Sequence, residues 1–224
     1  MKKLKFLILL FIFNCTLLIV NAQSIYFNKR ISITDNLDVC RGIIPFKNGY
    51  LVAGGFEDEY SWRHLYLSQL DSIGDLKWTK DYTIAPYNYY FGLSGSLFQT
   101  KDKHYALCGG RVLGLNKGYG IFVKVDSFGN KDWEKIYQLL DYDNVLNCGK
   151  VTKEGGYIFT GDAQTGTTKY SYLLLKTDSM GNQQWYKTYT DNHPNRNYTG
   201  KCVIETPDKG YCLGGMGGIG LYLS

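Results

Sequence analysis

Gly49-Tyr50-Leu51-Val52-Ala53-Gly54-Gly55 is followed by Tyr66-Leu67-Ser68-Gln69-Leu70-Asp71-Ser72-Ile73-Gly74-Asp75-Leu76-Lys77-Trp78, and the pair recurs along the chain. The first block returns as His104-Tyr105-Ala106-Leu107-Cys108-Gly109-Gly110, as Gly156-Tyr157-Ile158-Phe159-Thr160-Gly161-Asp162 and as Gly210-Tyr211-Cys212-Leu213-Gly214-Gly215. The second returns as Phe122 to Trp133, carrying Asp126-Ser127-Phe128-Gly129-Asn130, and as Leu174 to Trp185, carrying Asp178-Ser179-Met180-Gly181-Asn182. Tyr50 to Trp78, Tyr105 to Trp133 and Tyr157 to Trp185 are each 28 residues apart. A fixed period near 50 residues is the signature of a repeat architecture.

Each part of the repeat has a local physical reading. The apolar runs are short, rich in aromatic and β-branched residues and bounded by glycine, which predicts strands. Asp-Ser-x-Gly-Asn/Asp predicts a turn, in which the Asp side chain takes backbone N–H groups just beyond it and Gly supplies positive φ. A calcium loop would need alternating acidic residues and a terminal Glu, which are missing. The Trp opens an outer strand and is expected to cover the contact between repeats. In the first repeat, strand A is expected over about Val39 to Pro45, B over Tyr50 to Gly54, C over Leu65 to Leu70 and D over Leu76 to Tyr82. Four antiparallel strands in about 50 residues is the size of one propeller blade. The expected fold is therefore all-β: a β-propeller of four repeats, at approximately 36–82, 92–137, 145–189 and 199–224, with the last repeat incomplete and the ring open or partial.

These motifs resemble the propeller repeats of secreted Bacteroidetes-type proteins, in which Gly-Tyr-(apolar)-Gly-Gly precedes Lys-x-Asp-Ser-x-Gly-Asn and Trp-x-Lys-x-Tyr. A looser similarity runs to Kelch-like propellers. The resemblance spans Tyr26 to Gly215 and implies the fold and export while saying little about activity. Such proteins are often long and many end in a type IX sorting domain; this sequence departs from that pattern and stops within a blade.

Residues 1–22 read as a secretory signal peptide. Lys2, Lys3 and Lys5 precede an apolar run to Val20, and Ala22 supplies a small residue before Gln23. Phe6 to Val20 is 15 residues, short of the roughly 20 that span a bilayer, so no stable membrane insertion is expected after cleavage. The destination is secreted, periplasmic or cell-surface, in a bacterium. The remaining 202 residues carry 22 basic and 20 acidic side chains, a balance that argues against nucleic acid as a partner. Five cysteines remain. Cys40, Cys148 and Cys202 fall at one repeat position and hence in different blades, which predicts mostly unpaired, buried thiols; a single bridge to Cys108 or Cys212 stays open. No CxxC pair suggests zinc, and neither a metal nor a cofactor is expected.

Two expectations concern the ends. Tyr26-Phe27-Asn28-Lys29-Arg30-Ile31 matches strand D, so an orphan N-terminal strand at 25–32 could complete a blade begun at the C-terminus. Tyr222-Leu223-Ser224 echoes Tyr66-Leu67-Ser68 but comes five residues early. A closed four-blade ring and an N-terminal fragment of a longer propeller are both compatible with this, and the clipped strand C favours the fragment.

Alternate connections of an antiparallel blade emerge at opposite ends. The A–B and C–D turns are short and uniform, so the varied B–C and D–A connections should form the functional face. Its aromatic candidates are Tyr60, Trp62, Tyr87, Tyr89 and Tyr90, suited to stacking on a glycan or docking a protein. None of His64, His104 and His193 sits in a motif with a nucleophile, and no carboxylate pair is marked, so no catalytic residue is assigned. The reading is an extracytoplasmic binding module for an unknown protein or glycan. The alternatives are a propeller enzyme acting on polysaccharide or peptide, and a truncated product without independent activity.

Overall fold

The computed structural model describes residues 30–33, 37–114, 117–166, 169–191 and 196–222, the last five by backbone alone. It is a partial β-propeller of four antiparallel sheets. The first contains β1 (Asp38–Phe46), β2 (Gly49–Glu57), β3 (Arg63–Asp71) and β4 (Leu76–Asp81) in sequence order. In the second, the innermost strand is split into β5 (Asn88–Phe91) and β6 (Leu97–Gln99), both paired with β7 (Tyr105–Val112), which continues to β8 (Gly118–Val125) and β9 (Lys131–Tyr137). The third is β10 (Asn144–Val151), β11 (Tyr157–Gln164), β12 (Tyr170–Thr177) and β13 (Gln183–Tyr189). The fourth is β14 (Thr199–Glu205), β15 (Tyr211–Met216) and β16 (Gly218–Tyr222). No helix occurs among the described residues.

Register explains the glycine that recurs four residues after each blade tyrosine. The innermost strand bulges at Cys40/Gly42, Leu146/Cys148 and Gly200/Cys202; in the second sheet the segment between β5 and β6 stands in its place. Opposite lie Gly54, Gly109, Gly161 and Gly215, where a Cβ would come 1.8, 2.0, 1.8 and 1.9 Å from the carbonyl oxygens of Val39, Tyr90, Val145 and Thr199. No side chain fits there, and the bulge that bends each inner strand depends on glycine at this place.

The joint between blades is the second architectural device. Trp78 of the first sheet lies over Gly129 in the Asp-Ser-x-Gly turn of the second, and Trp133 of the second lies over Gly181 of the third. The Tyr82 and Tyr137 hydroxyls donate to the carbonyls of those same glycines at 2.9 and 2.8 Å. Each turn is fastened internally: Asp126 Oδ1 accepts from the N–H groups of Phe128 (2.8 Å) and Asn130 (2.9 Å), and Asp178 does the same for Met180 and Asn182. Gly74, Gly129 and Gly181 have φ of 81°, 76° and 74°. The core forms at these joints, with Leu51, Leu65 and Leu67 against Leu97 and Leu107, then Phe122 and Leu146 against Phe159 and Leu173.

Three expectations are corrected by register. Cys148 lies opposite Thr160 and Cys202 opposite Gly214, one equivalent place, whereas Cys40 lies opposite Gly54, before the bulge. Cys108 and Cys148 are buried free thiols, but Cys40 and Cys202 are exposed. Cys148 packs with Val203 and Leu213 of the fourth blade, while no described residue plays that part for Cys202, and neighbouring Ile204 is 58 % exposed. Tyr222 pairs with Tyr211, as Leu70 pairs with Tyr50, and Gly218 stands where Tyr66 does. The Tyr222-Leu-Ser echo is therefore out of register. Only Gly217, at φ 99°, separates β15 from β16, and this missing loop is why the last strand comes early. The proposed N-terminal strand lies outside the described residues except for Arg30, Ile31 and Ser32, which are not in a strand.

Candidate functional site

The B–C and D–A connections share one end of the blades, and a cleft of about 350 Å³ opens there between the second and third sheets. Tyr90 and Phe91 of β5, Gly110, Arg111 and Val112 at the end of β7, and Gly118 at the start of β8 line one side. Asp143, Asn144, Val145 and Asn147 at the start of β10, Asp162 of β11 and Tyr170 of β12 line the other, and Arg41 reaches in from the first sheet. Gly110 and Gly118 leave the space. A Cβ on Gly118 would meet nothing nearer than Asp143 Oδ1 at 3.7 Å.

The polar groups of the cleft are held in place by bonds of their own. Asn147, in the bulge of β10, donates from Nδ2 to Asp162 Oδ1 at 2.6 Å. Asp143 Oδ1 accepts from the Gly118 N–H at 2.6 Å, and Asn144 Oδ1 from the Gly120 N–H at 2.8 Å. Asn144 is 3 % exposed, and its Nδ2 has no hydrogen-bond partner among the described residues. Burial raises the Asp162 carboxyl to about 6, with the Asn147 bond opposing the shift. Tyr170 is raised by desolvation and by the charges of Asp143 and Asp162, which places the three groups within electrostatic reach of one another. Arg41 has no ion-pair partner among the described residues, whereas Arg111 lies 3.6 Å from Glu134 and over the Tyr87 ring at 4.2 Å.

A smaller cavity of about 220 Å³ adjoins the cleft, between the first and second sheets, and shares Arg41, Tyr90 and Phe91 with it. Leu37, Val39 and Phe56 make it more apolar. Tyr90, 40 % exposed, is the partition between the two, with the Arg63 guanidinium 5.1 Å from its ring centre.

The five aromatic candidates divide among different tasks. Tyr60, 74 % exposed, and Trp62 occupy the β2–β3 loop, where Asp58 Oδ1 accepts from both of their N–H groups at 2.9 and 2.8 Å. His64 bonds Asp81 at 2.6 Å and Asp58 at 3.3 Å and stacks on Phe56, fastening that loop from below. Tyr87 carries Arg111. Tyr89 is a core residue at 1 % exposure whose hydroxyl donates to Glu134 at 3.1 Å. Only Tyr90 lines the larger cleft.

Arg41, Asn147 and Asp162 escape a reading that looks for function in loops, because all three sit on strands. Asp162 did carry a signal: it occupies the register position of Gly55 and Gly110, where the third blade places a half-buried carboxylate and the fourth Met216. Compared with protein-family models and with curated proteins, the chain matches none.

Proposed function

We propose that this chain is an exported binding module that holds a small polar ligand, or the end of a larger one, in the loop-face cleft between the second and third blades. The observation that carries this reading is Asp162, a half-buried carboxylate where the first two blades have glycine, held by Asn147 in a cleft that the buried Asn144 amide, unpartnered among the described residues, also lines. Structural upkeep of the blade does not explain it, since the first and second blades manage the same register with Gly55 and Gly110. A cleft with a few convergent polar groups and a perturbed acid is the usual form of a ligand site. Export rests on the signal-like residues 1–22.

Gly118→Trp tests the reading, because it fills the cleft from a position with room for a side chain and removes none of the polar groups. Ligands captured from libraries of oligosaccharides and peptides should lose affinity at least tenfold with this variant. If every captured ligand binds the variant unchanged, the site lies elsewhere.

A second reading is a polysaccharide-cleaving enzyme. It draws on the same Asp162, since an acid raised to about 6 beside another carboxylate, Asp143, is the pattern of a general acid. Turnover of a captured oligosaccharide, abolished by Asp162→Asn with binding retained, would select it.

A further inference from the structure

We infer that the ligand of this cleft is a neutral glycan, recognised through ring hydroxyls. The inference rests on the binding-module reading and deepens it. Charge is the first argument. Arg111 is matched by Glu134, leaving Arg41 against Asp143 and Asp162. One cation against two carboxylates gives no attractive field for an anion, and an anionic ligand would face both acids.

The hydrogen-bond inventory is the second argument. One wall of the cleft is lined by both acceptors and donors: the carboxylates of Asp143 and Asp162, each with one oxygen already engaged by the protein, the Asn147 amide bonded to Asp162, and the buried Asn144 amide, whose N–H group has no partner among the described residues. An ammonium group only donates, so it would satisfy the carboxylates and leave the Asn144 N–H group without an acceptor. A carboxylate or phosphate only accepts and would meet the acids unfavourably. A hydroxyl does both, and adjacent hydroxyls on a sugar ring match adjacent carboxylate and amide groups. The rings of Tyr90 and Tyr170 supply apolar surface for a sugar face. Extended peptides are recognised chiefly by main-chain bonds along a strand edge with pockets for alternate side chains, whereas the polar groups here are side-chain ones.

The test uses the secreted chain without residues 1–22, on an array of neutral, acidic and amino-sugar oligosaccharides and on a peptide library, with Gly118→Trp and Asp162→Asn variants checked for folding by circular dichroism. Neutral oligosaccharides should bind. Gly118→Trp should weaken them at least tenfold, and Asp162→Asn, which keeps shape and loses an acceptor, by about tenfold. The neutral monosaccharide at the oligosaccharide's end should compete. Peptides or acidic sugars that bind and are lost in Gly118→Trp would overturn the glycan inference and leave the binding-module reading standing. Ligands insensitive to Gly118→Trp, or no ligand of any class, would overturn both.

Discussion

Replacing Trp133 by alanine should expose how the blades hold one another. Trp133 is half-buried, meets the Phe122 ring edge-on at 4.8 Å and 88°, and lies over Gly181 of the next blade. A fully buried aromatic truncated to alanine costs about 3–5 kcal/mol, the loss the repeat pattern alone would suggest. Residual exposure lowers the transfer part, while the edge-to-face pair adds about 0.5–1.5 kcal/mol, so about 3 kcal/mol is expected. For a chain of this size that corresponds to a fall in Tm of about 6–12 °C. Urea unfolding followed by tryptophan fluorescence and calorimetry would measure it. Gly181→Ala sharpens the experiment. Its φ of 74° penalises any side chain, and its Cβ would stand 2.8 Å from Trp133 Cη2. In the Trp133→Ala background the ring clash is gone, leaving the backbone penalty, about 1 kcal/mol, and a 3.0 Å approach to Cγ of the flexible Lys135 side chain. The two substitutions should therefore be non-additive by at least about 1 kcal/mol. A Trp133→Ala loss below 1 kcal/mol, or strict additivity with Gly181→Ala, would refute the joint.

Further outcomes follow from the same geometry. Gly161→Ala should abolish folding or cost more than about 3 kcal/mol, because its Cβ meets the Val145 carbonyl at 1.8 Å, whereas Gly214→Ala, facing only Cys202 Sγ at 3.1 Å, should be mild; thermal unfolding of both decides. Asp162 ionises near 6 in the folded chain and near 3.8 when unfolded, so the folded state holds the proton more tightly. Its stabilising contribution is complete below about pH 4 and is lost as pH rises through 6, by up to about 3 kcal/mol. Asp162→Asn should flatten that part of a stability–pH curve, and an unchanged slope would contradict the assignment. Cys40 and Cys202 should alkylate in the native protein while Cys108 and Cys148, buried with raised thiol pKa values, react only on unfolding, as peptide mass spectrometry would show.

The repeat is legible in the sequence because its determinants are local. Glycine at positive φ, an aspartate that reaches N–H groups two and four residues ahead, and alternating apolar residues act within one hairpin, so they recur as text wherever the hairpin recurs. The constant Tyr-to-Trp spacing survives for the same reason: it measures two strands and a turn, and it predicted that the tryptophan would cover the contact between blades. What tertiary structure decided was register and neighbourhood. By spacing from the blade tyrosine Cys40 nearly matches Cys148, but the bulge moves it to another place on the strand. Tyr89 looked like a loop aromatic, yet it closes the core beside Glu134. The cleft is the clearest case. Arg41, Tyr90, Asn147 and Asp162 come from three different blades and meet only when bulged inner strands converge at one end of the propeller. Within any single repeat Asp162 is one side chain where the first two blades have glycine; its meaning comes from partial burial, from the Asn147 amide 2.6 Å away, and from the space that Gly110 and Gly118 leave across the cleft.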